Sequence, residues 1–143
     1  MKILIAAALL CVSLFANSLD EIRKSGVIRI GVYNNQPPFS SFTDGKFVGF
    51  EVQLAGKIAK DIFGDNPGKT KFIHIATDKR MNVLEKNEVD MVVATFTPTP
   101  KRARRVDFSD PYFKVQVGIL AHADDNITSL SQLHQRKIFV IKY

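Results

Sequence analysis

The sequence predicts an α/β fold with a doubly wound, mostly parallel sheet. Segments with the two-residue hydrophobic period of strands alternate with segments that have the longer period of helices. One segment, residues 89–94, is an almost continuous apolar run, which is typical of a strand covered on both faces. The 143 residues, 45% hydrophobic and 24% charged, suit one globular domain, or one domain and part of another.

The first eighteen residues are predicted to be a secretory signal peptide. Lys2 gives a positive start, residues 3–15 form an uncharged apolar run, and Ala16 and Ser18 are small enough for cleavage after Ser18. The alternative is a buried N-terminal helix. Cys11, the only cysteine, lies in the apolar run, so the mature chain would have no thiol. We therefore expect a periplasmic protein, secreted through a cleavable signal peptide.

The net charge is +6, from 20 basic and 14 acidic residues, which raises the question of a nucleic-acid partner. Export removes the chain from nucleic acid, so we expect no such partner. No run of 18 or more apolar residues is present, so the sequence predicts no conventional membrane-spanning helix.

The predicted elements begin with a helical turn over residues 20–25, which Gly26 ends. Residues 27–33 follow as a strand, because apolar side chains alternate along them. The consecutive prolines at 37–38 break this strand, since proline has no N–H to donate. Residues 43–46 are predicted as a hairpin turn.

A helix is predicted over residues 50–63, where apolar residues recur at helical spacing until Gly64. Residues 71–76 form the next predicted strand. A short helix follows, capped by Asp78 and running through Leu84, and residues 89–94 form the central strand.

The C-terminal part is predicted to open a second domain. Residues 112–122 have the pattern of an extended segment, residues 124–135 of a loop with a short helix, and residues 137–142 of a strand. Residues 115–143 carry too little apolar surface to form a core of their own. We therefore expect this second domain to be incomplete.

No strong signature of catalysis or metal binding is present. The three histidines, His74, His122 and His134, are far apart and lack the spacing of a zinc site. His74 lies in a strand pattern and is interpreted as a packed or surface histidine. No glycine-rich phosphate loop and no nucleophile elbow occur. The sequence thus predicts no catalytic residue, no metal and no cofactor.

The segment from Ala94 to Arg102 is the candidate binding site. A buried strand ends there in hydroxyl residues and leads to Thr99 and Pro100, a favourable start for a short helix. Ligands in α/β sheets bind beyond the carboxyl ends of the strands, and helix N-termini favour anions. The planar fork of Arg102 suits a carboxylate, such as the α-carboxylate of an amino acid. Alternatively, the basic residues from Lys101 to Arg105 are a solvated surface.

Several motifs resemble those of the family 3 extracellular solute-binding proteins, the periplasmic receptors of polar amino acid ABC importers. The motifs are residues 28–32, 37–39, 49–52, Thr99 with Arg102, and 108–112. They occur in order over residues 20–143. Gln53 departs from the acidic residue usual at its position.

This resemblance implies a periplasmic-binding-protein-like (type II) lobe. Lobe 1 would span residues 19–114, and residues 115–143 would be the crossover and the start of an incomplete lobe 2. The chain would then be a truncated copy with weak or absent binding by itself. The implied partners are a polar amino acid and a membrane-embedded ABC permease, and the receptor would be a monomer.

The resemblance also assigns ligand-binding roles. Arg102 would clamp the ligand α-carboxylate, with hydrogen bonds from the Thr97 hydroxyl and from the backbone around Ala94, Thr95 and Thr97. The ligand side chain would lie between Phe50 and Gln36. Arg80 would bind the side-chain carboxylate of an acidic ligand, or it would be an exposed arginine at a helix start. Aspartate or glutamate therefore comes first among expected ligands, followed by glutamine or cystine.

Two other function classes share this fold. One is an exported dehydratase of cyclic aromatic-precursor acids, of the cyclohexadienyl or arogenate type, which needs a general acid or base. Glu51 is the only acidic residue near the matched positions, and it is expected at the sheet edge or a helix N-terminus. The other is a sensory ligand-binding domain.

Overall fold

A computed structural model describes residues 18–116 and 118–140 of the chain. The helices are α1 (Leu19–Ser25), α2 (Phe50–Phe63) and α3 (Arg80–Glu85). The strands are β1 (Val27–Val32), β2 (Asn35–Gln36), β3 (Ser40–Thr43), β4 (Lys46–Val48), β5 (Lys69–His74) and β6 (Met91–Val92). Short 3₁₀ turns lie at Thr77–Lys79, Ala123–Asp125 and Leu130–Leu133. The chain divides into two compact units, and the division falls between Asp107 and Phe108.

The first unit contains a parallel sheet with β1 at its centre. The strand order is β5-β1-β6, and both neighbours run parallel to β1. Ile30 of β1 lies opposite Phe72 of β5 and Met91 of β6. Parallel neighbours require crossover connections, and these contain α2 and α3. The predicted α/β architecture is confirmed.

Apolar side chains cover both faces of the parallel sheet. One cluster packs α1 and α2 against β1 and contains Ile22, Ile28, Ile30, Val32, Ala55, Ala59, Phe63 and Val93. The second cluster contains Tyr33, Ile75, Val83, Val89 and Ala94. Because β6 and the residues beside it contribute to both clusters, their sequence is apolar almost throughout.

A small antiparallel sheet, ordered β2-β3-β4, lies between β1 and α2 in the chain. Asp44 and Gly45 join β3 to β4, with φ angles of +50° and +78°. Two consecutive residues with positive φ are what a tight hairpin turn requires, so the predicted hairpin is confirmed. The predicted bounds of the 50–63 helix match α2.

Three predicted features of the first unit differ from the structure. Residues 100–106 form turns instead of a helix, although the Thr99 hydroxyl accepts a hydrogen bond from the Arg102 N–H at 3.3 Å, as a helix cap would. Asp78 is not the cap of α3, because it lies within the 3₁₀ turn and the helix begins at Arg80 without a side-chain cap. The predicted 89–94 strand pairs as β6 only at Met91–Val92.

The second unit is less regular than predicted. The described parts of the 112–122 and 137–142 segments form no strand, because neither pairs with another segment in the described chain. Residues 117 and 141–143 lie outside the described residues. The short helix predicted within 124–135 is present as the 3₁₀ turn Leu130–Leu133, which Ser129 caps.

The predicted signal peptide lies outside the described residues except for Ser18. Ser18 is the N-cap of α1, and its hydroxyl accepts the Glu21 N–H at 3.2 Å while the Glu21 carboxylate accepts the Ser18 N–H at 2.6 Å. Across the described ranges, none of the helices is both long and apolar enough to span a bilayer.

Candidate functional site

Thr95 is at the centre of the candidate site. It follows β6 with a φ of +40°, a left-handed conformation that a β-branched residue rarely adopts. Its N–H donates to the buried Glu51 carboxylate at 2.5 Å, and its hydroxyl donates to the Gln36 side-chain oxygen at 3.1 Å. The Arg80 guanidinium donates to the carbonyl oxygens of Ala94 and Thr95 at 3.2 and 3.3 Å. Three side chains therefore hold this backbone turn in place.

Arg80 lies beneath this turn and is 6% exposed. Besides its two bonds to the Ala94 and Thr95 carbonyls, Arg80 donates from its Nε to the Thr77 carbonyl at 2.9 Å. Its guanidinium carbon is 4.4 Å from the centre of the Phe96 ring and 5.7 Å from that of Tyr33. The interpretation of Arg80 as an exposed arginine is wrong, because α3 begins directly below the carbonyls that follow β6.

Arg102 lies further along the same loop and is half-buried. Its Nη1 donates to the Thr97 carbonyl at 2.9 Å. Its guanidinium carbon is 4.6 Å from the centre of the Phe96 ring, within the range of a cation–π interaction. Arginine carries five N–H donors in a planar fork, and the bond to Thr97 occupies one of them. The group can therefore bind a carboxylate while it keeps both contacts.

The other basic residues of this segment differ from Arg102. Lys101 is exposed, and the exposed Arg104 donates to the Pro100 carbonyl at 3.2 Å. Arg105 binds both carboxylate oxygens of Glu85 at 2.6 Å. This pair raises the pKa of Arg105 and lowers the pKa of Glu85, chiefly through the side-chain hydrogen bonds. A solvated surface thus describes Lys101 and Arg104, but not Arg102.

The remaining predicted residues lie at the edges of this arrangement. Phe50 is the first residue of α2, is 42% exposed, and packs edge-on against Phe39 with 6.3 Å between ring centres. The next residue along α2 is Glu51, so Phe50 is adjacent in the chain to the group that holds Thr95. Thr97 is exposed, whereas Ala94 is fully buried.

A cleft of about 260 Å³ opens beside Gln36, where β1 and β5 end. Its lining residues are Tyr33, Asn34, Asn35, Gln36, His74, Ile75, Ala76 and Thr77. The carboxyl ends of parallel strands are where α/β proteins bind ligands. Gln36 joins this cleft to Thr95 through its hydrogen bond, so the cleft borders the candidate site.

Two contributors to the site were not predicted in their observed roles. Phe96 stands between two threonines just after a buried strand, and an aromatic residue in such a loop is the signal that could have identified it. Glu51 lies in the first turn of α2, the helix N-terminus that was one of its two expected places, and not at a sheet edge. Its carboxylate is fully buried and accepts the Thr95 N–H, so it supports the loop, which was not predicted. The dehydratase hypothesis thereby loses its candidate acid, since a general acid must reach the substrate.

Residues 28–138 match the family model of the bacterial extracellular solute-binding proteins, family 3. The chain therefore belongs to this family, as its motifs indicated. Among curated relatives, the ABC transporter glutamine-binding protein GlnH of Bacillus subtilis (strain 168) is 35% identical over 129 residues. That match covers 88% of this chain and 47% of GlnH, so the chain spans about half the length of the curated relatives it matches.

Solved structures agree with this assignment. The cysteine-binding protein from Campylobacter jejuni superposes with a TM-score of 0.71 at 43% identity, covering 82% of this chain and 47% of that one. An arginine-bound form of domain 1 from TmArgBP, of T. maritima, gives a TM-score of 0.61 at 32% identity. That match covers 67% of this chain and 72% of the domain. The predicted type II binding-protein lobe is confirmed, and these relatives are binding proteins.

Proposed function

We propose that this chain binds the α-carboxylate of a polar amino acid through the loop Ala94–Arg102. The observation that carries the proposal is the geometry of Arg102. Its guanidinium is held by the Thr97 carbonyl and the Phe96 ring at the end of a parallel sheet. A bidentate bond from such a fork to a carboxylate is among the stronger neutral-pH contacts available to a protein.

The other predicted residues complete this half-site. The exposed Thr97 hydroxyl is proposed to donate to the ligand α-carboxylate. The backbone of Thr95 and Ala94 is proposed to contribute through its carbonyl oxygens, which keep a second lone pair beside the bond from Arg80, because the Thr95 N–H already donates to Glu51. Because Ala94 is buried, its contribution is limited to its backbone. Phe50 and Gln36 are proposed to border the ligand side chain, with Gln36 also lining the adjacent cleft.

The contacts of Arg80 change the proposed order of ligands. Its guanidinium is buried and bonds to the carbonyls of Thr77, Ala94 and Thr95, which opposes a direct role in binding a ligand carboxylate. We therefore place neutral polar amino acids, such as cysteine, cystine or glutamine, ahead of aspartate and glutamate. The names of the C. jejuni and B. subtilis relatives support this order.

In contrast to the weak or absent binding expected from the sequence, lobe 1 is proposed to bind its ligand by itself. The arginine-bound form of domain 1 from TmArgBP supports this, because a single domain of the family holds its ligand there. In the cell, the chain is proposed to be exported by residues 1–18, to act as a monomer and to deliver its ligand to an ABC permease. The GlnH relative, an ABC transporter binding protein by name, supports the last step.

The test is a thermal-shift scan of the chain against the twenty amino acids and cystine, followed by titration calorimetry of each ligand that raises the Tm. A ligand at 100 times its Kd stabilises the folded state by about 2.7 kcal/mol. The substitution Arg102→Gln is expected to weaken binding about 10- to 100-fold, because it removes a charge-assisted pair of hydrogen bonds.

Arg104→Gln is the matched control, since it removes an exposed arginine of the same loop. It should leave the Kd within about twofold, as expected for a surface substitution. A chain that unfolds cooperatively but shifts with no ligand would contradict the proposal. Equal losses in the two variants would show that general basic charge, and not Arg102, attracts the ligand.

A further inference from the structure

Two guanidiniums share the ring of Phe96. The guanidinium carbon of Arg80 is 4.4 Å from the ring centre, and that of Arg102 is 4.6 Å from it. Both distances are within the 6 Å over which an aromatic ring attracts a cation. Two like charges repel each other, so the shared ring offsets part of the cost of holding the start of α3 and the loop after β6 with their guanidiniums close together.

The two arginines differ in how firmly they are held. Arg80 is 6% exposed, and its bonds reach carbonyls on two separate segments, Thr77 before α3 and Ala94 with Thr95 after β6. Its position is therefore fixed by backbone on both sides. Arg102 is half-buried, and the bond from its guanidinium to the Thr97 carbonyl is local to the loop.

The contacts of Arg102 restrict different motions. The bond to the Thr97 carbonyl lies along an N–H of the guanidinium and fixes the direction of the fork. The ring contact restricts the plane of the fork, since a guanidinium stacks on an aromatic face. Without the ring, the Arg102 guanidinium could rotate about its one hydrogen bond to the Thr97 carbonyl.

We propose that Phe96, held in place by the buried Arg80, is the positioning residue for the carboxylate-binding fork of Arg102. Arg80 is then a positioning residue as well, acting on Arg102 through the ring and on Thr95 through its carbonyl. Because the fold orients the fork in advance, the ligand does not bear that entropic cost on binding. The identity of the bound group rests on the proposed function, whereas the orientation of Arg102 does not.

The test uses NMR of the whole chain without ligand, because ring currents shift side-chain protons that lie over an aromatic ring. In the parent chain we expect upfield-shifted Arg102 δ-protons and nuclear Overhauser contacts between them and the Phe96 ring. Phe96→Leu should move these protons to ordinary values, and Phe96→Tyr should keep the shift. Arg80→Lys, which retains the charge but not the fork, should move them as well.

Binding is measured in parallel with whichever amino acid gives a thermal shift. We expect Phe96→Leu and Arg80→Lys to raise the Kd about 5- to 10-fold. Phe96→Tyr keeps the aromatic ring, so its Kd should lie within about twofold of that of the parent chain. Phe42→Leu is the matched control, because Phe42 is 51% exposed on β3 and its ring packs on Phe47. It should change neither the Arg102 shift nor the Kd.

The outcomes separate this inference from the proposed function. An Arg102 shift that responds as described in a chain that binds no amino acid supports the positioning role and contradicts the ligand. Absence of the nuclear Overhauser contact in the parent chain overturns the inference even if a variant fails to fold. Arg80→Lys that abolishes binding with an unchanged Arg102 shift also overturns it, because Arg80 would then act on the ligand directly.

Discussion

The two units of the chain differ in how far they bury their apolar residues. In residues 18–107 the central strand β1 contributes Ile28, Ile30 and Val32, none of which is more than 1% exposed. In residues 108–140 no described residue is buried, and Leu120 and Phe139 are 100% and 95% exposed. Both units contain segments with the hydrophobic pattern of strands. They differ in burial because β1 pairs with two neighbouring strands, whereas the described segments of the second unit pair with none.

This comparison shows why the candidate site can be ordered in the first unit. The loop Ala94–Arg102 follows β6, which pairs with β1 and lies between two apolar clusters. Elements on this scaffold are close enough to form hydrogen bonds with the loop, as the bonds from Thr95 to Glu51 and Gln36 show. The described part of residues 108–140 has no comparable sheet or apolar cluster. If the first unit binds a ligand by itself, the order of its binding loop therefore has to come from its own core.

The largest expected difference between the units comes from truncating one isoleucine in each. Ile30→Ala removes a side chain that is 0% exposed at the centre of the sheet. The free energy of unfolding should fall by about 2–5 kcal/mol, from lost burial and the cavity left behind. Ile138→Ala, at a residue that is 56% exposed in the second unit, should change it by less than about 0.5 kcal/mol. Urea unfolding followed by circular dichroism measures both, and equal losses would show that the second unit has a core.

A smaller effect is expected from a buried ion pair. The Asp90 side chain is 2% exposed and binds Arg29 through both oxygens, at 2.6 and 3.1 Å, raising the pKa of Arg29. It also accepts the Arg29 backbone N–H at 2.7 Å, which ties the start of β6 to β1. Asp90→Ala leaves a partly buried guanidinium without this partner and should cost about 3 kcal/mol in the free energy of unfolding.

The control for Asp90→Ala is Asp110→Ala, at an exposed aspartate of the second unit. Its effect should be within about 0.5 kcal/mol, and both variants are measured by urea unfolding. If Asp90→Ala proved as mild as its control, the pair would not be needed to join β6 to the sheet. The contrast between the units would then rest on apolar burial alone.

Local patterns predicted most of the first unit. The helix over residues 50–63 follows from helical spacing of apolar residues and a glycine after it, and the hairpin follows from Asp44 and Gly45. Both signals are local, because the residues that carry them lie close together in the sequence. The predicted helix after Thr99 is different, because its cap forms but the following residues continue only as turns.

The support of the site could not be predicted from local patterns. The bond between Glu51 and Thr95 joins positions 44 residues apart, and the bond from Arg80 to Thr95 spans 15. Which carbonyls lie above the start of α3 depends on how β6 and α3 pack, and no periodicity encodes that. Arg102 could be named as a candidate from the sequence because it lies close in the chain to the end of the strand, whereas the positioning roles proposed for Arg80 and Phe96 could be inferred only from the assembled fold.

The smallest expected effect is a change in pH dependence, again compared between the units. The Arg105 fork lowers the pKa of Glu85 below its ordinary 4.5, so the pair stabilises the fold fully above that value and less as pH falls through the lowered pKa. Glu85→Gln should therefore flatten the acid side of the stability profile, measured as urea midpoints from pH 7 to pH 3. The effect is small and weakens in salt, because the two side chains are 44% and 35% exposed.

Asp125→Asn supplies the comparison for this experiment. Asp125 meets Arg136 through a single contact of 3.1 Å in the second unit, with side chains as exposed as those of Glu85 and Arg105. Its removal should leave the acid profile of the unfolding midpoint unchanged, because none of the described residues in 108–140 is buried. A flattened profile in Asp125→Asn would mean that the second unit unfolds together with the first. The contrast in burial would then not translate into a contrast in stability.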